Sequence, residues 1–318
     1  MHSGYLFRNI REDLKAAFLE FIGTTFFLLL GLGGIQAATG ENEMSSATTR
    51  IEQVLYISTS MGFSLLVSAW LFFRVTGGLF NPNVSLGLAL VGAIRPVRFV
   101  LYSIAQLMGA IAGAALVDCL TPGPLSVNTF LQKDINHTQG VFIEMFITSA
   151  LVLAVLMLAA EKHQATPFAP VGIGLTLFSG HLFATYYTGA AMNSARSFGP
   201  AVVTGFPYHS HWVYWVGPAL GSLLGAALYT IIKRFRYWTL NPDQDTHDPN
   251  KSPSDPVEFA KTVVNNIGSD KALDARENNS TEPMASIGAS TLVRAPKIRE
   301  IDEIEHSSER FFSSETNV

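Results

Sequence analysis

Long apolar blocks separated by short polar segments dominate the pattern of this chain. Six of the blocks approach the roughly 20 apolar residues that a helix needs to cross a bilayer. They cover about residues 14–38, 53–73, 97–119, 139–160, 168–188 and 212–233. The pattern therefore predicts an all-α membrane protein with six transmembrane helices.

Two shorter segments, at about residues 82–92 and 194–203, are too short to span a bilayer. Each begins at a polar motif that follows an apolar block: GGLFNPNVS at residues 77–85 and GAAMNSARS at residues 189–197. Non-helical backbone is tolerated at membrane depth only where protein or a water-filled cavity covers it. We therefore expect two re-entrant half-helices folded into the interior.

The two motifs belong to an internal repeat. Their first asparagines are separated by 193 − 81 = 112 residues, and the same offset relates Thr76 to Thr188. The first helices of the two halves carry Glu20 and Glu144, which match at 144 − 20 = 124. The repeats cover about residues 14–119 and 139–233. Each half has three spans, so the second half is inverted in the membrane and the half-helix N-termini face each other near the midplane.

Composition supports the membrane interpretation and excludes several other classes. The chain of 318 residues is 48% hydrophobic and 14% charged, whereas soluble domains have about 25% charged residues. The single cysteine, Cys119, excludes an internal disulfide and a cysteine-based metal site. No nucleophile–base set, phosphate-binding loop or metal cluster is present in the sequence. We therefore expect no enzyme activity, cofactor, metal or nucleic-acid partner.

Basic residues near the helix ends predict the orientation. Most of them, such as Arg8, Arg95 and Lys233, flank one side, so both termini are expected in the cytoplasm. The linker at residues 120–138 is then outside the cell. It contains Asn136, the first residue of an N-glycosylation sequon and a candidate for that modification.

Charge and composition divide the chain into three parts. The boundaries predict an N-terminal arm at residues 1–13, a membrane domain at residues 14–236 and a tail at residues 237–318. Residues 239–318 hold 15 acidic and 8 basic side chains, a net charge of −7, while the remainder carries +3. The tail is rich in Asp, Asn, Ser and Pro and is expected to be disordered.

The two motif asparagines are the main candidates for chemistry. Asn81 and Asn193 occupy predicted N-cap positions, where Asn is a favoured residue. The N-termini of the half-helices concentrate positive potential. A capping Asn can use its oxygen on the helix and offer its NH₂ to a cavity. Two such donors are expected to hold a water oxygen and to repel cations. The alternative is that both residues act only as caps.

Two buried carboxylates lie at equivalent positions of the repeat. Glu20 and Glu144 could form a proton relay, or they could accept hydrogen bonds from the re-entrant loops. The second interpretation is favoured, because those loops carry backbone N–H groups that need partners. The glycines at four-residue spacing, Gly109 with Gly113 and Gly221 with Gly225, are expected to permit close helix packing.

Together these features resemble the aquaporin (major intrinsic protein) family, and most nearly its orthodox fungal water channels. The resemblance rests on the paired motifs, the inverted repeat, ARSFGPA at residues 195–201, and EKH at residues 161–163 before PVGIG at residues 170–174. It covers about residues 14–236. It implies a homotetramer in the lipid bilayer, with the plasma membrane as the expected location and one water-conducting pore in each protomer.

The motifs depart from the family pattern, which is Asn-Pro-Ala twice. The first motif keeps Pro82 but has Asn83 where Ala is usual. The second keeps Ala195 but has Ser194 where Pro is usual. Both asparagine caps remain, so we expect the water-orienting chemistry to remain as well.

The resemblance also implies a constriction of four residues. These positions correspond to Met61, His181, Ala190 and Arg196. Water channels usually have Phe at the first position, and the more flexible Met predicts a softer gate. Glycerol channels usually place Asp after the Arg, where this chain has Ser197.

The sequence therefore predicts a passive water channel that excludes protons and ions. A related alternative is a channel that also, or mainly, passes hydrogen peroxide or glycerol. A more distant alternative is a secondary transporter, since many transporters use inverted repeats and broken helices. Transporters usually have carboxylates for a coupling ion at the cavity, whereas the residues predicted here are Asn, His and Arg.

Overall fold

The computed structural model describes residues 9–44 and 50–246, together with residues 252, 255, 257 and 261. The regular structure of these residues is helical throughout. In chain order, the α-helices of the compact unit Met1–Lys251 are α1 (Ile10–Met44), α2 (Arg50–Phe72), α3 (Pro82–Leu90), α4 (Pro96–Leu120), α5 (His137–Val155), α6 (Ala169–Thr188), α7 (Ser194–Thr204) and α8 (Val213–Arg234).

Six helical segments of the described part are long and apolar enough to cross a bilayer, which confirms the predicted fold class. They are Ile10–Gly40, Arg50–Phe72, Pro96–Leu120, His137–Ala160, Thr166–Thr188 and His209–Arg234. The first begins before residue 14 because Asp13 is fully buried in ion pairs with Arg95 and Arg98, at 2.7 and 2.8 Å. The fourth ends in a π-helical turn, Leu156–Ala160.

The half-helices are α3, with 9 residues, and α7, with 11 residues. Asn81 and Asn193 cap them from extended backbone, at φ −151° and −158°. Pro82 then occupies the first turn of α3, where its fixed φ suits a helix and its missing N–H leaves no donor unpaired. α7 ends at Gly205, whose left-handed backbone (φ 76°) closes the helix.

Each repeat packs its first span against its third. α1 contacts α4 in the first half, and α5 contacts α8 in the second. A Cβ atom on Gly109 would lie 2.7 Å from the Phe21 carbonyl oxygen, and one on Gly221 would lie 2.6 Å from the Met145 carbonyl oxygen. Real Cβ atoms do not approach so closely, so glycine is what permits these helix crossings. The predicted packing role of the two glycines is therefore confirmed.

The two repeats are also interlocked. Half-helix α3 of the first repeat packs against α8 of the second, and α7 packs against α4 of the first. The equivalent helices α2 and α6 meet at Gly62 and Gly174, where a Cβ on Gly174 would lie 2.9 Å from the Gly62 carbonyl oxygen. Each half-helix is consequently positioned by the opposite repeat.

Regular structure continues into the first residues of the tail, which was predicted to begin at residue 237 and to be disordered. Residues Tyr237–Thr239 form a 3₁₀ turn. The Gln164 N–H donates to the Asp245 carboxylate at 2.9 Å, and the Gln164 side chain donates to the Asp245 carbonyl at 3.2 Å. These contacts order the chain as far as residue 246. Most of the predicted tail and the first part of the N-terminal arm lie outside the described residues.

Candidate functional site

A buried carboxylate holds the second motif loop. Glu144 is fully buried on α5. It accepts hydrogen bonds from the Thr188 hydroxyl at 2.6 Å and from the backbone N–H groups of Ala191 and Met192, both at 2.9 Å. The carboxylate therefore satisfies backbone donors that no regular secondary structure reaches.

Glu20 does the same for the first loop. It accepts from the Thr76 hydroxyl at 2.5 Å and from the N–H groups of Leu79 and Phe80 at 3.1 and 2.9 Å. It also accepts from the Gln106 side chain at 2.9 Å. Both glutamates are thus engaged with the loops, in the geometry that the sequence favoured over a proton relay.

The carboxylates stabilise backbone that would otherwise be unfavourable. Phe80 and Met192 occupy equivalent positions before the two asparagines, and both have φ 51°. Ala190 has φ 48°. Left-handed backbone is costly for residues other than Gly, so it persists only where the surroundings impose it. In this conformation the carbonyl groups of Phe80 and Met192 each reach the asparagine of the opposite motif.

The two cap asparagines are cross-linked through these carbonyls. The Asn81 oxygen accepts from the Asn83 and Val84 N–H groups at 2.8 and 3.4 Å, while its NH₂ donates to the Met192 carbonyl at 2.8 Å. The Asn193 NH₂ donates to the Phe80 carbonyl at 2.9 Å. One N–H of each amide is therefore used between the loops rather than offered to a cavity. The second N–H of each remains for the lumen.

A narrow enclosed cavity of about 20 Å³, room for little more than one water molecule at a time, passes the asparagines. Its polar lining includes Asn81, Asn193 and Arg196, and Met61 also lines it. Much of the remaining wall consists of apolar side chains from both repeats: Phe27, Leu65, Val84, Leu151, Ile173 and Leu177. The lumen is therefore an apolar tube with polar groups at a few fixed points.

Arg196 marks the end of the enclosed cavity nearest the 121–136 linker, because it also lines an open vestibule with Ser126 and Asn128. We call this the linker side, and the opposite end the terminal side. The Arg196 guanidinium is buried, and its Nη1 donates to the Val127 carbonyl at 2.9 Å. Its Nε has no partner among the described residues.

His181 and Ala190 are fully buried and do not line either cavity. The His181 Nδ1 lies 3.0 Å from the Leu177 carbonyl, and its Nε2 has no hydrogen-bond partner in the described part of the chain. In the part of the chain that the structure describes, His181 and Arg196 thus each keep one buried nitrogen without a hydrogen-bond partner.

The other predicted motif residues lie behind the lumen wall. Pro82, Asn83, Ser194 and Ala195 do not line either of the two cavities. The Asn83 side-chain oxygen instead accepts from the Ser194 N–H at 2.8 Å and from its hydroxyl at 2.9 Å. These two departures from the family pattern are therefore in direct contact with each other.

The linker has a role that the sequence reasoning missed. Its carbonyl at Val127 holds Arg196, and its Thr129 hydroxyl donates to Ser197 at 2.9 Å. Gln36 of α1 fixes this segment by accepting from the Ser126 N–H at 2.8 Å and donating to the Pro124 carbonyl at 3.1 Å. The available signal was the apolar residues in an otherwise polar linker, since Leu125 and Val127 are buried.

On the terminal side, Ala159 lines the enclosed cavity from the π turn that ends the fourth span. Glu161 follows this turn directly. Glu161 accepts hydrogen bonds from Lys233, at 2.5 Å, and from Tyr229. Burial raises the pKa of Glu161, but the hydrogen bonds from Lys233 and Tyr229 outweigh burial and hold it below its ordinary value. This carboxylate is therefore ionised near neutral pH.

Two further sequence candidates lie at the surface. Asn136 is exposed and caps α5, with its side chain accepting from the Gln139 N–H at 2.9 Å in a capping box. Glycosylation of Asn136 stays a prediction. Cys119 is exposed one residue before the end of α4, away from the residues that line the enclosed cavity.

Comparisons with known proteins agree with this architecture. Residues 8–229 match the sequence profile of the major intrinsic protein (MIP) family. The chain is 67% identical over 279 residues to Aquaporin-1 of Laccaria bicolor, covering 86% of this chain and 90% of that protein. It is 46% identical over 246 residues to Aquaporin-1 of Gibberella zeae, covering 77% of each.

A solved structure shares the fold. The aquaglyceroporin of Plasmodium falciparum superposes with a TM-score of 0.57 at 20% identity, covering 71% of this chain and 98% of that one. The family profile spans most of the chain, and the paired caps, carboxylate-held loops and interlocked half-helices agree with it. The chain belongs to the major intrinsic protein family, the aquaporin channels.

Proposed function

We propose that the protein is a passive water channel that excludes protons and ions. The observation that carries this proposal is the meeting of two half-helix N-termini at Asn81 and Asn193 in the wall of the enclosed cavity. Each amide has one N–H engaged with the opposite loop, so its orientation is fixed. The remaining N–H groups hold a passing water by its oxygen and turn its hydrogens away from the centre.

Charge exclusion follows from the same geometry. Both half-helices direct the positive ends of their dipoles at the centre of the lumen. Arg196 adds a permanent charge at the linker side, because a guanidinium stays protonated at any relevant pH. A cation meets positive potential at both places, and the apolar wall offers few groups to replace its hydration shell.

The linker side is proposed as the selectivity filter. His181 Nε2 and Arg196 Nε are buried nitrogens without a protein partner in the described residues. Burying such a group unpaired is costly. Arg196 lines the enclosed cavity, so a permeating water that pairs with its guanidinium restores the lost hydrogen bond. A polyol is wider than a single file of water. We expect the bulk of the His181 ring, buried behind the lumen wall, to keep the passage too narrow for glycerol.

Hydrogen peroxide is the second solute to test. Met61 lines the enclosed cavity where the related water channels usually have an aromatic residue. A flexible thioether can move aside for a molecule slightly larger than water. We therefore expect peroxide to pass more readily than glycerol.

Location and assembly form part of the proposal. We propose that the channel lies in the plasma membrane, with both termini in the cytoplasm and the linker outside. A homotetramer agrees with the large apolar side chains exposed on the outer surface, such as Phe63, Ile104 and Phe146. These side chains require either lipid or a neighbouring protomer as a partner.

Stopped-flow light scattering of proteoliposomes tests the proposal. Vesicles with the purified protein should shrink in a sucrose gradient much faster than empty vesicles, and the rate should have a low activation energy. A glycerol gradient should give little acceleration. Vesicles that behave like empty ones, with tetramers present in the bilayer, would refute the proposed function. Faster glycerol than water passage would instead support the glycerol alternative.

A further inference from the structure

The half-helix N-termini are joined by two sets of hydrogen bonds, and only one set follows the repeat. The symmetric set consists of the amides of Asn81 and Asn193, each donating to the carbonyl before the other. The second set is made by Asn83, whose side-chain oxygen accepts from both the N–H and the hydroxyl of Ser194.

This second set has no counterpart across the pseudo-twofold axis. At the repeat offset of 112, Asn83 corresponds to Ala195 and Ser194 corresponds to Pro82. The side chains of Ala and Pro have neither a donor nor an acceptor, and Pro also lacks the backbone N–H. The contact between Asn83 and Ser194 is therefore an added link on one side of the channel centre.

The two residue types depend on each other. Ser194 is the first residue of α7, and its N–H is one of the donors that no intrahelical carbonyl reaches. A Pro at that place would have no such donor, so no acceptor would be needed. Because this chain has Ser, a buried N–H is present, and the Asn83 oxygen at 2.8 Å supplies its acceptor.

Further hydrogen bonds fix the position of the pair. The Ser194 hydroxyl has one hydrogen, which the Asn83 oxygen and the Tyr214 carbonyl share, each at 2.9 Å. The Ser222 hydroxyl donates to the Asn83 carbonyl at 2.8 Å. Asn83 and Ser194 are both buried, with 5% and 2% of their surface exposed. A network closed in this way fixes how far α3 and α7 stand apart.

We propose that Asn83 and Ser194 form a coupled positioning pair that sets the separation of the two half-helices and so the aim of the Asn81 and Asn193 amides. The pair acts through those amides and does not contact the permeating solute. The effect on permeation rests on the proposed water-channel function. The coupling itself does not, because it concerns how the two half-helices are held.

The backbone shows that the alternative pair would fit. Asn193, before Ser194, has φ −158° and ψ 111°, and Asn81, before Pro82, has φ −151° and ψ 115°. This extended conformation is the one that a residue before proline prefers. A Pro at residue 194 is therefore compatible with the chain, provided that Asn83 no longer presents an oxygen without a donor.

A double-substitution cycle tests the pair, with Asn83→Ala, Ser194→Pro and the two combined. Asn83→Ala leaves the Ser194 N–H unpaired, and Ser194→Pro leaves the Asn83 oxygen unpaired. Each orphan should lower the apparent Tm of the purified protein by about 3–6 °C. Each should also change the ratio of glycerol to water permeability, since the amides are displaced. The combined variant removes both partners, so both quantities should return towards the unaltered protein.

Two control variants separate this coupling from general damage. Ser58→Ala removes a buried hydroxyl whose hydrogen bond, among the described residues, lies within α2, to the Val54 carbonyl. Combined with Asn83→Ala, its Tm change should be additive. Ser194→Ala keeps the N–H on the Asn83 oxygen, so it should have a smaller effect than Ser194→Pro.

The possible outcomes are distinct. Additive losses in the combined variant, or single variants with unaltered Tm, would overturn the proposal. If a single variant does not assemble, assembly of the combined variant supports the pair, and its failure to assemble contradicts it. If the unaltered protein conducts no water, the proposed function fails, while the Tm cycle still decides whether the residues are coupled.

Discussion

The linker side and the terminal side of the pore are built from equivalent positions of the repeat but differ in chemistry. At the offset of 112, the predicted gate residues Met61, His181, Ala190 and Arg196 correspond to Ile173, Ala69, Gly78 and Val84. Both Arg196 and Val84 line the enclosed cavity. One side thus combines an imidazole with a guanidinium, and the other presents only small or apolar residues.

The comparison separates what the fold requires from what selectivity requires. On both sides a carboxylate accepts hydrogen bonds from the motif loop, an Asn caps the half-helix, and the residue before that Asn has left-handed backbone. These shared features make the re-entrant loops possible. The features on the linker side alone, namely His181, Arg196 and the linker carbonyl at Val127, are not needed to build a half-helix. We therefore propose that these three features discriminate between solutes.

The largest expected effect comes from removing a shared feature. Glu144→Ala deprives the Thr188 hydroxyl and two backbone N–H groups of their acceptor, at a cost of about 3 kcal/mol or more in the free energy of unfolding. We expect little folded protein by size-exclusion chromatography in detergent.

Glu20→Ala should be as severe, because Glu20 accepts the three equivalent hydrogen bonds and a fourth from Gln106. Glu12→Ala is the matched control, since Glu12 is an exposed residue of α1 whose ion pair in the described part of the chain is with Lys15, at the surface. A Glu144→Ala protein with an unaltered Tm would show that the carboxylate does not hold the loop.

The next effect should come from transferring the terminal-side residues to the gate. His181→Ala combined with Arg196→Val reproduces Ala69 and Val84. Removing the ring and the charge should raise glycerol permeability relative to water by about tenfold or more. The half-helix dipoles remain, so proton leak should stay small.

Val84→Ala is the control for that change, because it alters the terminal side without touching the gate. Its ratio of glycerol to water permeability should stay close to that of the unaltered protein. An unchanged ratio in the double variant, with normal amounts in the membrane, would contradict the assignment of the filter to the linker side.

Sequence reasoning reached the carboxylates and the asparagine caps because the repeat displays each of them twice, but it did not predict the left-handed backbone before the caps. The offsets identified the asparagine caps and the glutamates, and Gly109 and Gly221 marked the helix crossings. The helix spans followed from apolar length alone. These features are local, or are duplicated in the chain, and a pattern can therefore show them.

Features formed by long-range contacts were not accessible in the same way. Arg196 is held by Val127, 69 residues away, on backbone with no regular period. Asn83 and Ser194 meet across 111 residues, and only the folded loops bring them together. The sequence showed that both residues depart from the family pattern. It did not show that the two residues form hydrogen bonds with each other.

A smaller effect is expected at the remaining gate position. Met61→Phe replaces a flexible thioether with a rigid ring, so peroxide permeability should fall a few fold more than water permeability does. Ile173→Phe is the matched change on the terminal side and should lower both permeabilities together. A ratio of peroxide to water that stays constant or rises in Met61→Phe would show that Met61 does not form part of the gate.

The smallest effect is expected at the cysteine. Cys119 is exposed at the end of α4, so mercurials should inhibit the unaltered channel poorly, and Cys119→Ser should leave its permeability unchanged. Met61→Cys places a thiol in the lining of the enclosed cavity and should create inhibition that a reducing agent reverses. Strong inhibition of the unaltered protein that disappears in Cys119→Ser would contradict this placement.

We propose above all that the lumen beside the facing asparagine caps conducts water and excludes protons. Water and proton fluxes should be measured in the same proteoliposomes, by light scattering in an osmotic gradient and by an enclosed pH-sensitive dye in a pH gradient. We predict water permeability far above that of empty vesicles, with a proton flux equal to theirs. A proton flux that rises in proportion to the amount of reconstituted protein, or a water permeability no higher than that of empty vesicles, would contradict the account.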